Sequence, residues 1–538
     1  MRGAQRRGKP SHNLKPFVSK CSIQSKMHPR STKTFKFFKK YHKWLSIVLG
    51  LFIVLFSLSG IVLNHRGLFS SVDINRSYLP EVYRYNNWNL AAVKGAIDLP
   101  GDSSLIYGNI GIWLTKDSFK TFTDFNAGFP NGIDNRKVSS VLQTREGQLY
   151  SGTYFGLFRY DFYSSKWENI PLPVHNQRVV DMIESEGNLY VMTRSILLKK
   201  LLAGPDRDFE KIVLPPPENY NNKVGLFKTL WVIHSGEILG VTGKLFVDLV
   251  GLLFIFLTIT GLIYFLFPNW IKKRKRKTRA VKKMLWLNRF SLRWHNKIGW
   301  WLGLFLIVTT LTGMFLRPPL LIPIAYVQVP KIPWSILDDD NAWYDQFRAI
   351  VYDQEKDAFI IGTTNGFYFA DTKFKNELKP VDHHPPVSVM GINVFQSTGK
   401  ESYLVGSFSG FFHWSAKTGY VEDILNQKTY EASPHGGSPF GTHTIAGFMY
   451  DCDKLPYYFD YAHGAQPVLH NLPFTKMPKN IIDASPMSLW NLALEIHTAR
   501  IYGVLIGDFY ILLIPLFGLI VLFIFISGFY MYLKVYRK

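Results

Sequence analysis

The sequence is poor in cysteine and in charge, and long stretches of it lack acidic residues altogether. It contains 2 cysteines in 538 residues, Cys21 and Cys452, and no CxxCH motif. This excludes a disulfide framework and, by the missing motif, covalently attached c-type haem. Charged residues make up 19% of the chain and aromatic residues 16%. Such a composition excludes a disordered or fibrous protein, and its charge is low for a wholly soluble one.

The net charge of +23 comes from three segments that contain no acid. These segments are residues 1–43, 268–297 and 534–538, which together hold 28 of the 62 basic residues and none of the 39 acidic ones. Each segment lies beside a long apolar run. That is the positive-inside pattern of a membrane protein, and it argues against a nucleic-acid partner.

Four apolar runs are long enough to cross about 30 Å of hydrocarbon as helices. With the basic segments in the cytoplasm, both termini are cytoplasmic and the two long loops are periplasmic, in a multi-pass protein of the bacterial inner membrane. The predicted organisation is a basic cytoplasmic arm at 1–43, a first span at 44–64, a periplasmic β-rich part at 65–230, a second span with a periplasmic helical extension at 231–267, a basic cytoplasmic loop at 268–297, a third span at 298–317, a second β-rich part at 318–490, a fourth span with a helical extension at 491–533, and a cytoplasmic tail at 534–538.

The chain is an internal duplication of a unit made of a helix, a large outer domain and a helix. Spans one and three align without a gap, and spans two and four align with a four-residue insertion. The matched residues are His42, Gly50 and Gly60 with His295, Gly303 and Gly313, and His234, Gly240, Gly251 and Gly261 with His497, Gly503, Gly518 and Gly528. Because both copies have the same orientation, we expect a four-helix transmembrane bundle with a pseudo-two-fold axis along the membrane normal.

The outer loops carry a recurring hairpin pattern of two aromatic-rich strands around a glycine turn. Clear copies are LYSGTYFGLFRYD at 149–161, FIIGTTNGFYFAD at 359–371 and YLVGSFSGFFHWS at 403–415, with fainter ones at 104–117 and 189–198 and a candidate sixth at 457–469. The spacing of about 44 residues is typical of β-propeller blades. Because neither loop has enough blades to close alone, one propeller-like domain built from both is predicted. Two separate small β-domains are the alternative.

Four of the 15 histidines occupy matched places in the two copies. His42 and His295 lie at the cytoplasmic mouth of the bundle, and His234 and His497 lie at the outer mouth. A pseudo-two-fold axis brings the members of each pair face to face, and two opposed imidazoles can ligate a flat metal macrocycle from both sides. The prediction is haem b, two per chain, with these histidines as ligands of the iron.

Further residues near the spans are candidates for supporting roles. Glycines near the histidines would let the macrocycle lie close to backbone, although glycine also serves helix packing in membranes; they are Gly50, Gly303, Gly240 and Gly503. His65 breaks the symmetry of the repeat and is either an alternative outer ligand or a lipid-interface residue. Asp248 is an acid within a span, where charge is costly, and either pairs with Lys244 or relays protons. Candidate acceptor contacts on the outer loops, or ordinary surface residues, are His383, His384, His435 and His443.

The spans resemble a known family. HKWLSIVLGLFIVLFSLSGIVLNHR from His42, WHNKIGWWLGLFLIVTTLTGMFLR from Trp294 and IHSGEILGVTGKLFVDLVGLLFIFLTITGLIYF from Ile233 are similar to the PepSY-associated transmembrane proteins, which include siderophore-type ferric reductases and are often called iron-regulated membrane proteins. The resemblance covers roughly 130 of the 538 residues. It implies a four-helix bundle with b-type haem, and electron transfer across the inner membrane to a ferric chelate. The outer loops depart from the family, whose outer domains are usually α/β PepSY modules.

The cytoplasmic segments are too short to hold a flavin or nicotinamide domain, and they contain no GxGxxG motif after a strand. The expected electron donor is therefore membrane quinol or a separate cytoplasmic reductase, and the expected acceptor is a ferric siderophore or another ferric chelate. Two other functions fit parts of the pattern. One is a non-redox receptor whose propeller binds a partner while the helices serve as anchors, and the other is an iron or haem transporter built on parallel repeats.

Overall fold

The computed structural model describes residues 33–206, 208–218, 220–388, 391–431 and 441–536. Most of the basic arm, including Cys21, lies outside these residues, and so does His435. The described chain forms a set of helices and a β-rich body. The helices are α1 (Lys33–Asn64), α2 (Arg66–Phe69), α3 (Leu226–Ser235), α4 (Gly240–Arg276), α5 (Lys282–Trp301), α6 (Gly303–Phe315), α7 (Lys479–Asp483), α8 (Leu489–His497), α9 (Gly503–Ile506) and α10 (Leu513–Tyr536).

Three helical segments of the described chain are long and apolar enough to cross a membrane: Lys33–Asn64, Glu237–Arg276 and Arg500–Val535. A fourth crossing exists if α5 and α6, which meet at a 65° bend, count as one span. The bend lies at Leu302, whose backbone leaves the helical region (φ −107°, ψ 3°). The third predicted span at 298–317 is therefore divided by a break. Much of the predicted basic loop at 268–297 is helical, since α4 runs to Arg276 and α5 begins at Lys282.

The predicted helical extensions before spans two and four are separate short helices, α3 and α8. The chain breaks between α3 and α4 at Gly236, which adopts a left-handed conformation (φ 78°). A Cβ atom there would lie 2.1 Å from the carbonyl oxygen of Gly243. Only glycine therefore allows α3 to fold back so closely against the start of α4.

The β-rich body contains six antiparallel sheets in the described chain, each a meander of consecutive strands. The first loop contributes three sheets. Sheet 1 contains β2 (Gly95–Leu99), β3 (Ser103–Gly108), β4 (Gly111–Thr115) and β5 (Thr123–Asp124), sheet 2 contains β6 (Val138–Gln143), β7 (Leu149–Thr153), β8 (Gly156–Asp161) and β9 (Lys166–Ile170), and sheet 3 contains β10 (Val179–Ser185), β11 (Asn188–Thr193), β12 (Leu197–Leu201) and β13 (Glu210–Ile212). The second loop contributes sheet 4, with β16 (Phe347–Asp353), β17 (Ala358–Thr363), β18 (Phe367–Asp371) and β19 (Lys379–Pro380), sheet 5, with β20 (Ile392–Gly399), β21 (Ser402–Ser407), β22 (Gly410–Ser415), β23 (Val421–Asp423) and β24 (Lys428–Thr429), and sheet 6, with β25 (Ile445–Tyr450), β26 (Pro456–Asp460) and β27 (Gly464–Pro467).

Two short strand pairs connect segments that are distant in sequence. β1 (Asp73–Ile74) pairs with β28 (Met487–Ser488), and β14 (Lys223–Gly225) pairs with β15 (Gln328–Pro330). Each predicted hairpin repeat forms the second and third strands of one sheet, and in the three clear copies the turn lies at the paired glycines. The repeat is visible in the sequence because the second strand of each clear copy is buried along nearly its whole length and so needs a mostly apolar run.

Hydrophobic cores lie between consecutive sheets. Sheets 3 and 4, which come from different loops, share a core around Tyr190, Trp343 and Phe359. Sheets 6 and 1 share a core around Trp88 and Phe459. The two loops thus form one β-rich body, and the alternative of two separate domains is wrong.

Candidate functional site

The four helix-end histidines form two pairs. The imidazole centroids of His42 and His295 lie 6.3 Å apart, and those of His234 and His497 lie 6.0 Å apart. Two imidazoles that face each other across one metal ion, with metal–nitrogen bonds of about 2 Å, have centroids roughly 6 Å apart. All four side chains are half-buried. The pairing that the duplication predicts is therefore present at a spacing that suits a shared metal.

Each of these imidazoles is held in the same way by a neighbouring helix. Its Nδ1 atom lies within hydrogen-bond distance of a backbone carbonyl and of the hydroxyl three residues further along. We call each pair of a backbone carbonyl and a hydroxyl a histidine seat. The four seats are Ile524 O (2.9 Å) and Ser527 Oγ (3.0 Å) for His42, Leu257 O (3.1 Å) and Thr260 Oγ1 (3.1 Å) for His295, Thr309 O (2.9 Å) and Thr312 Oγ1 (3.4 Å) for His234, and Phe56 O (2.9 Å) and Ser59 Oγ (3.1 Å) for His497.

This seat fixes the tautomer of the imidazole. A carbonyl oxygen can only accept, so Nδ1 must carry the proton and donate it. The Nε2 atom then keeps its lone pair, which is the form of histidine that binds a metal. A hydrogen bond on the far nitrogen also orients the ring and raises its basicity as a ligand. The local chemistry therefore prepares four neutral imidazoles for ligation through Nε2.

A glycine completes each seat by allowing the imidazole to approach the helix. A Cβ atom on Gly60, Gly261, Gly313 or Gly528 would lie 3.1, 3.4, 2.6 or 3.3 Å from the Cε1 atom of His497, His295, His234 or His42, respectively. Three of these distances are shorter than an ordinary van der Waals contact, and the one at Gly313 is incompatible with an unshifted ring. The glycines are thus part of the site.

The sequence contains a signal for these seats that is separate from the histidines themselves. Every span carries the pattern x-x-x-[ST]-G, in which the first residue supplies the carbonyl: FSLSG at 56–60, LTITG at 257–261, TTLTG at 309–313 and IFISG at 524–528. The alignment of spans one and three pairs Ser59-Gly60 with Thr312-Gly313, and so it finds two of the four copies of this pattern. That the hydroxyl and the glycine serve a histidine from another helix is visible only in three dimensions.

The glycines that were predicted to lie against a macrocycle have other neighbours in the structure. A Cβ atom on Gly50 would lie 3.2 Å from the methyl group of Thr258, and one on Gly303 would lie 2.4 Å from the ring of Phe529. One on Gly503 would lie 3.2 Å from Tyr510, and Gly240 has a left-handed conformation (φ 62°) at the start of α4. Gly50 and Gly303 lie at contacts between helices, which matches the packing interpretation of these residues.

His65 and Asp248 lie together at the outer ends of α1 and α4. The Nε2 atom of His65 is hydrogen-bonded to Asp248 Oδ2, and the other carboxylate oxygen of Asp248 accepts a hydrogen bond of 2.9 Å from Asn64 Nδ2. Asn64 also donates to the carbonyl oxygen of Ser235, the residue after His234. Lys244 instead contacts Glu237 at 3.4 Å, so the predicted Lys244–Asp248 pair is wrong. The intramembrane acid is thus paired with His65, next to the outer histidine pair.

The loop histidines are distributed over the β-rich body. His384 Nδ1 contacts the Pro385 carbonyl at 2.7 Å, the His383 carbonyl accepts from Trp414 Nε1 at 2.9 Å, and the His443 ring packs against Tyr458. His435 lies outside the described residues. Within the described ranges, no group of three or more His, Cys, Asp or Glu side chains could hold a metal ion. His383, His384 and His443 therefore belong to no such metal-binding group among the described residues.

The two histidine pairs lie at different depths. His42 is 14 residues before Phe56, which seats His497, on the same helix α1. At 1.5 Å of rise per residue, the two levels are about 21 Å apart along that helix. The pairs therefore lie near opposite ends of the apolar segment.

These features define a multi-pass membrane protein with a β-rich domain and two opposed histidine pairs. The model of the family described as "PepSY-associated TM region" matches residues 42–534, and the chain belongs to that family. The family predicted from the span motifs is thereby confirmed.

Comparisons with other proteins add little to the family assignment. The search of curated protein sequences returned no match. Similar solved structures include the extracellular domain of the putative hybrid two-component system BT4673 from B. thetaiotaomicron, with 11% identity over 71% of this chain and 33% of that chain and a TM-score of 0.35. Streptogramin B lyase has 7% identity over 71% of this chain and 95% of that chain, with a TM-score of 0.33. PorZ of Porphyromonas gingivalis has 12% identity over 68% of this chain and 36% of that chain, with a TM-score of 0.29. This chain spans a third to two fifths of the first three structures it matches. Similarities this weak identify neither a shared fold nor a shared function.

Proposed function

We propose that this protein carries b-type haem and moves electrons across the bacterial inner membrane to a ferric chelate. The observation that carries the proposal is the pair of opposed imidazoles at each end of the bundle, 6.3 and 6.0 Å apart, each held through Nδ1. A single histidine at a membrane boundary would mean little. Four histidines with one repeated seat are expected only if their free nitrogens share a common task.

In this proposal each residue of the seat has a defined role. His42 and His295 would hold the inner haem through Nε2, and His234 and His497 would hold the outer one. The carbonyl and hydroxyl at each seat keep the proton on Nδ1, and the glycine gives the ring room. When bound, haem supplies one-electron redox chemistry at the iron. The protein contributes the ligands, their orientation and an apolar surrounding that excludes water.

The electrons come from membrane quinol or a separate cytoplasmic reductase, and they reduce ferric iron of a chelate, a siderophore or similar complex, on the outer side. The orientation follows from the basic residues of the segment 268–297, which favour the cytoplasmic face. The β-rich body would then lie in the periplasm, and the inner pair would lie near the donor. In this orientation, the outer pair would be the histidine pair nearer the acceptor.

We further propose that the six sheets form a six-bladed propeller. The cores between consecutive sheets support this arrangement, as does the contact between the last sheet and the first. At that contact the Phe448 amide donates to the Lys94 carbonyl at 3.2 Å, and the Leu90 amide donates to the Tyr461 carbonyl at 2.8 Å. A ring of this kind removes exposed sheet edges.

An absorption spectrum of the purified protein, oxidised and then reduced with dithionite, tests the haem. We expect a Soret band, haem that extracts into acid acetone because no CxxCH motif anchors it, and about two haems per chain. A protein that stays colourless after expression with ample haem would favour the non-redox receptor instead.

A further inference from the structure

The β-rich body carries a group of basic side chains on the side that faces the outer histidine pair. We call it the cationic cluster, and it consists of Arg66, Lys94, Lys137, Arg178, Arg194 and Arg348. Lys94, Lys137, Arg178 and Arg348 lie at the starts of sheets 1 to 4, Arg194 lies in the turn between β11 and β12, and Arg66 belongs to the short helix α2. Burial, and then the repulsion between these cations, lowers the pKa of Arg178, Arg348 and Lys94.

Part of the cluster is neutralised by carboxylates. Asp134 accepts two hydrogen bonds of 2.7 Å from Arg66 and one of 2.9 Å from Lys137. Asp345 contacts Arg194 at 2.6 Å, and it also accepts from Lys228 of α3 at 2.9 Å. Each of these two carboxylates is therefore shared between two cations, and Asp345 also attracts Arg178 and Arg348 at longer range. The basic side chains of the cluster outnumber the carboxylates beside them.

Three members of the cluster make no direct ion pair with a carboxylate among the residues that the structure describes: Lys94, Arg178 and Arg348. Arg348 donates to the carbonyl oxygens of Asp345 (3.0 Å) and Phe347 (2.7 Å). Arg178 lies over the ring of Tyr154, 4.9 Å from its centroid. Tyr154 also lies 3.6 Å from the guanidinium carbon of Arg66, so one aromatic ring serves two cations.

The remaining nearby acid, Asp181, compensates these cations only in part, through its attraction to Lys94. Asp181 accepts hydrogen bonds from the Ile350 amide (3.0 Å), the Met182 amide (2.9 Å) and the Ser140 hydroxyl (3.1 Å). Burial raises its pKa to about 6. Burial, together with nearby Arg178, lowers the pKa of Lys94 to about 8. Half-buried cations that outnumber their carboxylate partners are costly, and an anion between them would relieve that cost.

The cluster is linked directly to the helices that carry the outer histidines. Lys228 lies six residues before His234 on α3, a distance of about 9 Å along the helix. Trp490, which stacks on Arg66 at 3.9 Å, lies seven residues before His497 on α8, about 10 Å along that helix. A molecule bound at the cluster would therefore lie about two helical turns from the outer pair.

We infer that the cationic cluster binds an anionic metal chelate, one whose carboxylate or phenolate oxygens match the guanidinium groups of Arg178 and Arg348. Guanidinium groups bind such oxygens with two parallel hydrogen bonds, and Tyr154 adds a surface for an apolar or aromatic part. This inference rests on the proposed function, because the chelate is the electron acceptor of the outer pair. It names the acceptor class as anionic, in contrast to neutral or cationic hydroxamate chelates.

The experiment is calorimetric titration of the full-length detergent-purified protein with gallium(III) citrate, which carries negative charge and is not reduced. We expect binding that weakens at high salt. We expect Arg178→Gln and Arg348→Gln each to weaken it about tenfold, as loss of one charged hydrogen-bond donor predicts. Lys454→Gln is the matched control, because it removes one positive charge from an exposed pair with Asp98. A cationic gallium hydroxamate chelate should not bind.

Absence of binding, or equal affinity in the two arginine variants and the Lys454 variant, would overturn the inference. Equally strong competition by inorganic phosphate at the same ionic strength would also overturn the assignment to a chelate. Thermal unfolding of each variant checks folding, and Arg178→Lys, which keeps the charge, should bind better than Arg178→Gln. Binding without a Soret band would refute the proposed function alone, whereas a Soret band without binding would refute the chelate site alone.

Discussion

The histidine seats show how a residue acquires a role from its partners. An imidazole at a membrane boundary can face lipid, water or a neighbouring helix. Here a carbonyl and a hydroxyl of another helix fix Nδ1 as the donor in all four cases, and a glycine gives the ring access. The same arrangement at four places makes an accidental contact an inadequate explanation.

Replacing one histidine of each pair should remove one haem at a time, because the two pairs use different helices and different depths. We expect His295→Ala and His497→Ala each to lose about half of the haem, measured as the pyridine haemochrome per chain. The exposed His175 provides a control, since His175→Ala should retain all of it. His65→Ala should also retain both haems. Full retention in both pair variants would refute the ligand assignment.

The glycine seats should be sensitive to a single methyl group. Gly313→Ala places a Cβ atom 2.6 Å from His234 Cε1, so the ring must move away from its carbonyl and the outer haem should bind more weakly. Overpacking of this kind costs about 1–3 kcal/mol. Gly251→Ala is the matched control in another span, because its Cβ atom would meet no neighbour closer than 3.7 Å. Haem titration of the two apoproteins compares them, and equal affinity would contradict the role of Gly313.

At the scale of elements, the first strands of the sheets share a local irregularity. The register of five of them shifts near the start, at Val138, Val179, Phe347, Ile392 and Ile445. A bulge leaves a residue out of the ladder and redirects the side chains beside it. The start of sheet 3 carries Asp181, and the start of sheet 4 carries Arg348. The bulges thus help to place charged groups where ladder positions alone would not.

Asp181 should make the stability of the β-rich body depend on pH. Its folded pKa of about 6 lies above the unfolded value of about 3.9, so the folded state binds more protons between these values. The contribution of Asp181 to stability should therefore fall as the pH rises from about 4 to about 6 and stay constant above that. Asp134 has its pKa lowered to about 2, because Arg66 and Lys137 outweigh the effect of burial, so its ionisation changes the stability only below about pH 4.

Tryptophan-detected thermal unfolding between pH 4.5 and 8 measures this dependence. The variant Asp181→Asn cannot ionise and should show a flatter profile across the window. Asp98→Asn, at an exposed ion pair, should leave the slope unchanged. If the slope persists in Asp181→Asn, another group is responsible for it.

At the scale of the whole molecule, the proposed orientation can be tested with the two native cysteines. Cys452 is free and exposed on the β-rich body, and Cys21 belongs to the basic arm. A membrane-impermeant maleimide should label Cys21→Ser in intact spheroplasts through Cys452, whereas Cys452→Ser should be labelled only after lysis. The reverse pattern would mean the opposite orientation.

The sequence by itself determined the family, the apolar segments, the duplication, the histidine pairing and the repeated hairpins. These features depend on composition, charge placement and spacing, which are properties of the chain read in order. It did not determine the break at Leu302, the Asp248–His65 pair or the cationic cluster. Those depend on which distant segments meet: Asn64 and His65 reach Asp248 across 184 and 183 residues, respectively. Only tertiary structure decided them, because a buried charge takes the partner that packing brings within reach, whatever its place in the chain.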